Sequence, residues 1–165
     1  MRNLNVIVLL LVFMGLQSCD GNRVYDSYQT VSKSWEKNEI VEFELPQLDS
    51  VVPYNLYINV RHTNDYPYSN LFLIGSIKFP NGKIITDTLE YEMAKSDGEW
   101  LGTGFSDIKE NKLWYKENVR FVEDGTYKVT IQHAMRKNGE VSGVNSLEGI
   151  TDIGFRIENG SKPEQ

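Results

Sequence analysis

The chain predicts an all-β fold: one antiparallel β-sandwich of the jelly-roll or immunoglobulin-like kind. Three observations lead there. Short apolar runs alternate with polar residues at a period of two, and turn residues fall between them. No segment sustains helical periodicity beyond about three turns, the ordinary length of a globular helix. The 165 residues include 9 Tyr, 7 Phe and 3 Trp, side chains that favour strands.

The expected strands can be taken in order. Residues Val24 to Val31 form the first. Ile40 to Leu45 alternates, with Val41, Phe43 and Leu45 inward and Glu42 and Glu44 outward. Asn55 to His62 repeats the pattern, with Leu56, Ile58 and Val60 on one face and Tyr57, Asn59 and Arg61 on the other. Leu71 to Phe79 is almost wholly apolar, which suits a central strand. The Asn81-Gly82 step, where both central residues tolerate positive φ, predicts a hairpin into a strand over Ile84 to Tyr91. After Asp124-Gly125, Thr126 to His133 sets Tyr127, Val129 and Ile131 against Lys128, Thr130 and Gln132. Ile150 to Glu158 closes the fold, with Ile153, Phe155 and Ile157 inward. Seven or eight such strands make a sandwich. There is no internal repeat.

Before the fold comes an export signal. Arg2 gives a weakly positive start, and Val6 to Leu16 is an apolar run too short to span a bilayer of about 30 Å. The exit Leu16-Gln17-Ser18-Cys19 ends on the only cysteine of the chain. That layout resembles a bacterial lipobox, although Gln17 is a polar choice at a position that usually holds a smaller residue. The expectation is cleavage after residue 18 and lipidation of Cys19, whose acyl chains each contribute about 0.8 kcal/mol per buried CH₂ to membrane binding. The domain plan is therefore a removed signal (1–18), a lipidated cysteine with a short tether (19–23), a sandwich (24–158) and a polar tail (159–165). Removing 1–18 leaves 147 residues, enough to bury about two thirds of the unfolded surface without a staple.

Composition excludes some partners. The formal net charge is −6, or −7 once Arg2 leaves with the signal, and Lys and Arg form no cluster along the chain. Nucleic-acid binding depends on neutralising phosphate, so it is not expected. Anionic lipid would also repel this domain, which leaves attachment to the acyl chains.

Catalytic groups are scarce. His62 and His133 are the only imidazoles, they lie on separate strands, and neither has a neighbouring cysteine or HExxH spacing. No G-x-S-x-G elbow is present, and Gly102-Thr103-Gly104 lacks the third glycine and the strand-to-helix setting of a phosphate loop. Glycoside hydrolysis would need two carboxylates about 5–9 Å apart in a cleft, for which Glu90, Glu92, Glu99, Asp107 and Glu110 are the candidates. In an acidic chain such residues are more often solvated. No enzyme activity, metal or cofactor beyond the covalent lipid is expected.

Aromatic residues are the stronger signal. Tyr54 and Tyr57 bracket one end of a strand, Tyr66 and Tyr68 occupy a proline-stiffened loop expected to be exposed, and Trp100 and Trp114 sit in short glycine- and lysine-flanked segments. Tyr54, Arg61, Tyr66, Tyr68, Trp100 and Trp114 are the candidate contact residues, since Trp, Tyr and Arg carry much interface energy. A carbohydrate- or peptidoglycan-binding sandwich would instead line a groove with these rings. The simplest alternative is that Trp35, Trp100 and Trp114 complete the core.

Several blocks together resemble the gliding motility lipoprotein GldH family of the Bacteroidetes. They are residues 53–61 (PYNLYINVR), 66–71 (YPYSNL), 87–91 (DTLEY), 98–102 (GEWLG), 134–136 (AMR) and 149–154 (GITDIG), and the likeness runs from the lipobox to about Ile157. The resemblance implies a structural envelope lipoprotein of the gliding apparatus, in the same machinery as type IX secretion, that docks on other envelope proteins. It supplies no catalytic residues. After Cys19 the chain reads Asp20-Gly21-Asn22-Arg23, without the acidic cluster that sends many lipoproteins of this phylum to the outer face. A periplasm-facing position in the outer membrane is expected.

Overall fold

The computed structural model describes residues 21–160 apart from 33, 138 and 140. The predicted signal, Cys19 and residues 161–165 lie outside the described residues. Ten strands follow in chain order: β1 (Arg23–Thr30), β2 (Ser34–Glu36), β3 (Val41–Glu44), β4 (Tyr54–His62), β5 (Asn70–Lys78), β6 (Ile84–Glu92), β7 (Lys109–Val119), β8 (Lys128–His133), β9 (Ser146–Glu148) and β10 (Ile150–Asn159). They form two antiparallel four-stranded sheets, ordered β1-β10-β4-β7 and β3-β8-β5-β6, with a β2-β9 ribbon beside them. The β-sandwich expected from the alternation is present, and no helix occurs among the described residues.

The inward faces are those the period of two assigned. Leu56, Ile58 and Val60 of β4, with Ile153, Phe155 and Ile157 of β10, are fully buried against Val41 and Phe43 of β3 and Val129 and Ile131 of β8. Phe43 and Phe155 meet across the sandwich with ring centroids 6.0 Å apart. Each large side chain taken out of water here contributes about 1.5–3 kcal/mol. Tyr115 of β7 reaches over to the other sheet, where its hydroxyl donates to Asp87 Oδ2 at 3.1 Å. Its ring lies above Gly75, at which a Cβ would sit 3.2 Å from the ring.

β5 is interior to its sheet, between β8 and β6, as its apolar run suggested. Its two faces differ, however: Leu71, Leu73 and Ile77 are buried, while Phe72 and Ile74 are only half-buried on the outer side. The hairpin into β6 also forms, with a difference of turn type. Pro80, Asn81 and Gly82 make a three-residue loop closed by Phe79 N–H donating to Lys83 O at 2.8 Å, and of these only Gly82 has positive φ (91°). Pro80 fixes φ near −65°, which selects a type I turn followed by a left-handed glycine over the mirror-image turn that Asn-Gly favours.

Strand β7 was not anticipated as a strand. Its charged sequence KENKLWYKENV masks a period of two that buries Asn111, Leu113 and Tyr115 and turns Glu110, Lys112 and Trp114 outward. β2 and β9 have three residues each, too short for a pattern.

The connections fix two ends of the sandwich. Arg23, Tyr54, the β5–β6 hairpin and Asn159 lie at one end, next to the predicted lipidation site in the chain. The loops 63–69, 93–108 and 134–145 lie at the other.

Candidate docking face

The outer face of the β1-β10-β4-β7 sheet carries a continuous layer of aromatic and charged side chains. Register sets Trp114 beside Tyr57, Lys112 beside Asn59 and Glu110 beside Arg61 on neighbouring strands, and Tyr28 beside Gly154 on the far side of β4. Gly154 leaves room for the Tyr28 ring to lie flat, since a Cβ there would come 2.7 Å from it. The Tyr28 hydroxyl accepts from Asn59 Nδ2 at 2.8 Å. The Arg61 guanidinium stacks 4.0 Å from the centre of the Tyr28 ring while its Nε donates to Glu110 Oε2 at 2.6 Å. Lys112 bridges to Glu158 Oε1 at 2.6 Å and stands 4.0 Å over the Tyr57 ring, which meets Trp114 edge-on at 5.0 Å. Arg156 joins Asp26 and Glu158.

Electrostatics follow from that packing. Burial pushes the Tyr28 hydroxyl up to about 12, with Glu110 and Asp26 adding to the effect. Burial alone would raise Glu158, but hydrogen bonds from Lys112 and Arg156 outweigh it and hold the carboxyl below its usual range. The hydrogen bond to Glu110 raises Arg61 further. These side chains are held before any partner arrives, which lowers the entropy cost of binding. On this layer Trp114 remains 46% exposed, a large ring on a fixed base.

The six predicted contact residues therefore separate. Arg61 and Trp114 share this face. Tyr54 and Tyr66 do not belong to a surface and are corrected to core: they are 3% and 2% exposed. Tyr54 faces inward against Phe121 at 6.0 Å and its hydroxyl accepts from Asp49 N–H at 3.0 Å. Tyr66 folds back from its loop so that its hydroxyl donates to Asn70 O at 2.7 Å, with its ring between those of His62 and Tyr68. The loop expected to be exposed caps the end of the sandwich instead. Trp100 is half-buried in the same cap, 4.6 Å from His62, with Nε1 donating to Asn64 Oδ1 at 3.0 Å. Tyr68 stays partly open. Trp35 is fully buried, as the core alternative held.

The histidines are interior. His62 is 0% and His133 2% exposed, and burial lowers both below the ordinary imidazole value. Of the hydrolase candidates, Glu110 is paired with Arg61, Glu99 with Lys95, and Glu90 accepts from Asn70 Nδ2. Among the described residues no cluster of three His, Cys, Asp or Glu could hold a metal ion. Tyr28, Tyr57, Glu110, Lys112 and Arg156 went unrecognised as members of the face. Alternation in 109–119 is the signal that could have found Glu110 and Lys112; Tyr28, Tyr57 and Arg156 join the face through strand register, which has no local signature.

Comparison with known proteins matches residues 23–157 to the GldH lipoprotein family. The chain belongs to that family. It is 59% identical over 154 residues to the gliding motility lipoprotein GldH homolog of Christiangramia forsetii, covering 93% of this chain and 94% of that one. It is 53% identical over 158 residues to the gliding motility lipoprotein GldH of Flavobacterium johnsoniae, covering 96% of this chain and 98% of that one. Family membership makes this a lipid-anchored envelope protein. The infectious bursal disease virus VP2 subviral particle overlaps 86% of this chain and 34% of its own, at 15% identity and a TM-score of 0.37, too distant to carry an argument.

Proposed function

We propose that this domain is a non-enzymatic assembly component of the gliding motility and type IX secretion machinery. It is held by lipid on Cys19 at the periplasmic side of the outer membrane, and it docks other envelope proteins through the outer face of the β1-β10-β4-β7 sheet. The motility reading is supported by the names of its relatives, and the periplasm-facing side by the absence of an acidic cluster after Cys19. The observation that carries the docking role is Trp114, left 46% exposed above an aromatic and ionic layer that fixes its surroundings. Such an anchor, with Arg61 four pairs along the register on the same face, has the composition of an interface centre.

The test uses Flavobacterium johnsoniae cells lacking their own GldH and expressing this chain. Wild type should restore colony spreading. An Arg61→Ala, Trp114→Ala double variant, present at equal level and lipidated, should not. Restoration at the wild-type rate by that variant would remove this face from the function.

A further inference from the structure

A second surface stands apart from that face. On the outer side of the β3-β8-β5-β6 sheet, Phe72 and Ile74 form the floor of a groove of about 960 Å³, which Tyr68, Asn70, Thr88, Arg136 and Lys137 also line. A smaller recess of about 260 Å³ continues past Arg136 to Lys37 and to Val141, which is 92% exposed. Most other cations of the domain are consumed locally: Arg61, Lys95, Lys112, Lys116, Lys128 and Arg156 each lie within 3.2 Å of a carboxylate. Among the described residues, Lys37, Arg136 and Lys137 have no ion pair; Lys78, Lys83, Lys109 and Arg120 have none either, but none of those four lines the groove or its recess. In a chain of net charge −6, Arg136 and Lys137 line this groove and Lys37 the adjoining recess, while the carboxylate beside the floor, Glu90 opposite Phe72, is engaged by Asn70 Nδ2 at 3.3 Å.

Its position is equally specific. The groove opens beside loops 63–69 and 134–145, at the end opposite Arg23. With strands of 9 and 10 residues, that end stands about 30 Å farther from the lipid-bearing segment. A membrane surface is therefore the wrong occupant. Phe72 and Ile74 are alternate residues of one strand, so they point the same way about 7 Å apart, the repeat of an extended peptide.

We propose that the groove receives an acidic, extended segment of a partner protein. Alternate apolar side chains of the segment rest on Phe72 and Ile74, and its carboxylates meet Arg136, Lys137 and Lys37. The charge steers the encounter and the floor supplies contact area. The occupant is distinguished from a neutral glycan by the cations, which carboxylates of a peptide segment pair and an uncharged sugar leaves unpaired. The inference does not rest on the Trp114 face and can fail without it.

Placing the photocrosslinker p-benzoylphenylalanine at position 72 of the full lipidated chain in living cells tests this directly, with the captured segment sequenced by mass spectrometry. The expected product is one envelope protein, crosslinked within a stretch of net negative charge. Its yield should fall at least fivefold in Arg136→Glu, Lys137→Glu and also in the milder Arg136→Gln, Lys137→Gln. It should change less than twofold in Lys78→Glu, Arg120→Glu, which reverses two cations outside the groove. Crosslinks to glycan or lipid, a segment without net negative charge, no product at all, or a yield unmoved by the groove variants would each overturn the proposal.

Discussion

Acid should weaken this fold through two buried imidazoles. His62 and His133 are almost completely enclosed, and burial lowers both pKa values below the unfolded value of about 6.5. The unfolded chain therefore binds protons more readily than the native one. This stability is fully present above pH 6.5 and is lost as pH falls toward the depressed native values. Between pH 7.5 and 5.5, a histidine that stays neutral throughout in the native state costs about 1.4 kcal/mol, so the pair sets a ceiling of about 3 kcal/mol. Glu158, whose native pKa is lowered, acts in the same direction, but its loss begins as pH falls into the ordinary carboxyl range, outside this interval. Urea unfolding followed by tryptophan fluorescence at pH 7.5, 6.5 and 5.5 gives the slope. His62→Phe, His133→Phe keeps an aromatic ring against Trp100 and Trp35 and removes the titrating groups, so its stability should be nearly flat over the same range. A flat wild type, or an equal slope in the double variant, would refute the reasoning.

Three further outcomes follow from the packing. Phe155→Ala empties the meeting point of the two sheets and should cost about 3–5 kcal/mol, read as a lower urea midpoint at unchanged m. Gly154→Ala drives a Cβ into the Tyr28 ring and should cost about 1–3 kcal/mol, with displacement of that ring toward water visible as a lowered tyrosine titration midpoint, because burial is what raises it. Tyr115→Phe removes one hydrogen bond between the sheets and should cost about 1–2 kcal/mol by the same urea assay, with Asp87 still paired to Lys116 at 2.8 Å.

Much of this fold was legible because a half-covered strand writes its geometry into the chain. Glu42 and Glu44 against Val41 and Phe43 could not lie the other way without burying charge. The reading weakened where both sides of a strand do work. In β4, Tyr57 and Asn59 alternate correctly with Leu56 and Ile58 yet are also buried, because neighbouring side chains cover the outer face. In β7 the charges are outward members of a network, and their density concealed the strand. Tyr66 was misjudged because loop residues next to proline are usually solvated, whereas this ring closes the end of the core. The apolar run of β5 marks a central strand, as found, but does not show that its outer residues Phe72 and Ile74 are left half-buried. Pairings between distant segments, such as Arg61 with Glu110 and Tyr28 over Gly154, depend on register and have no local signature.

Native electrophoresis of gently solubilised envelopes bears most directly on the claim that this protein works by contact. Wild type should migrate in an assembly much larger than its 19.0 kDa chain, and Trp114→Ala should run free of it at equal abundance. Wild type running alone, or a variant that stays in the assembly, would contradict the account.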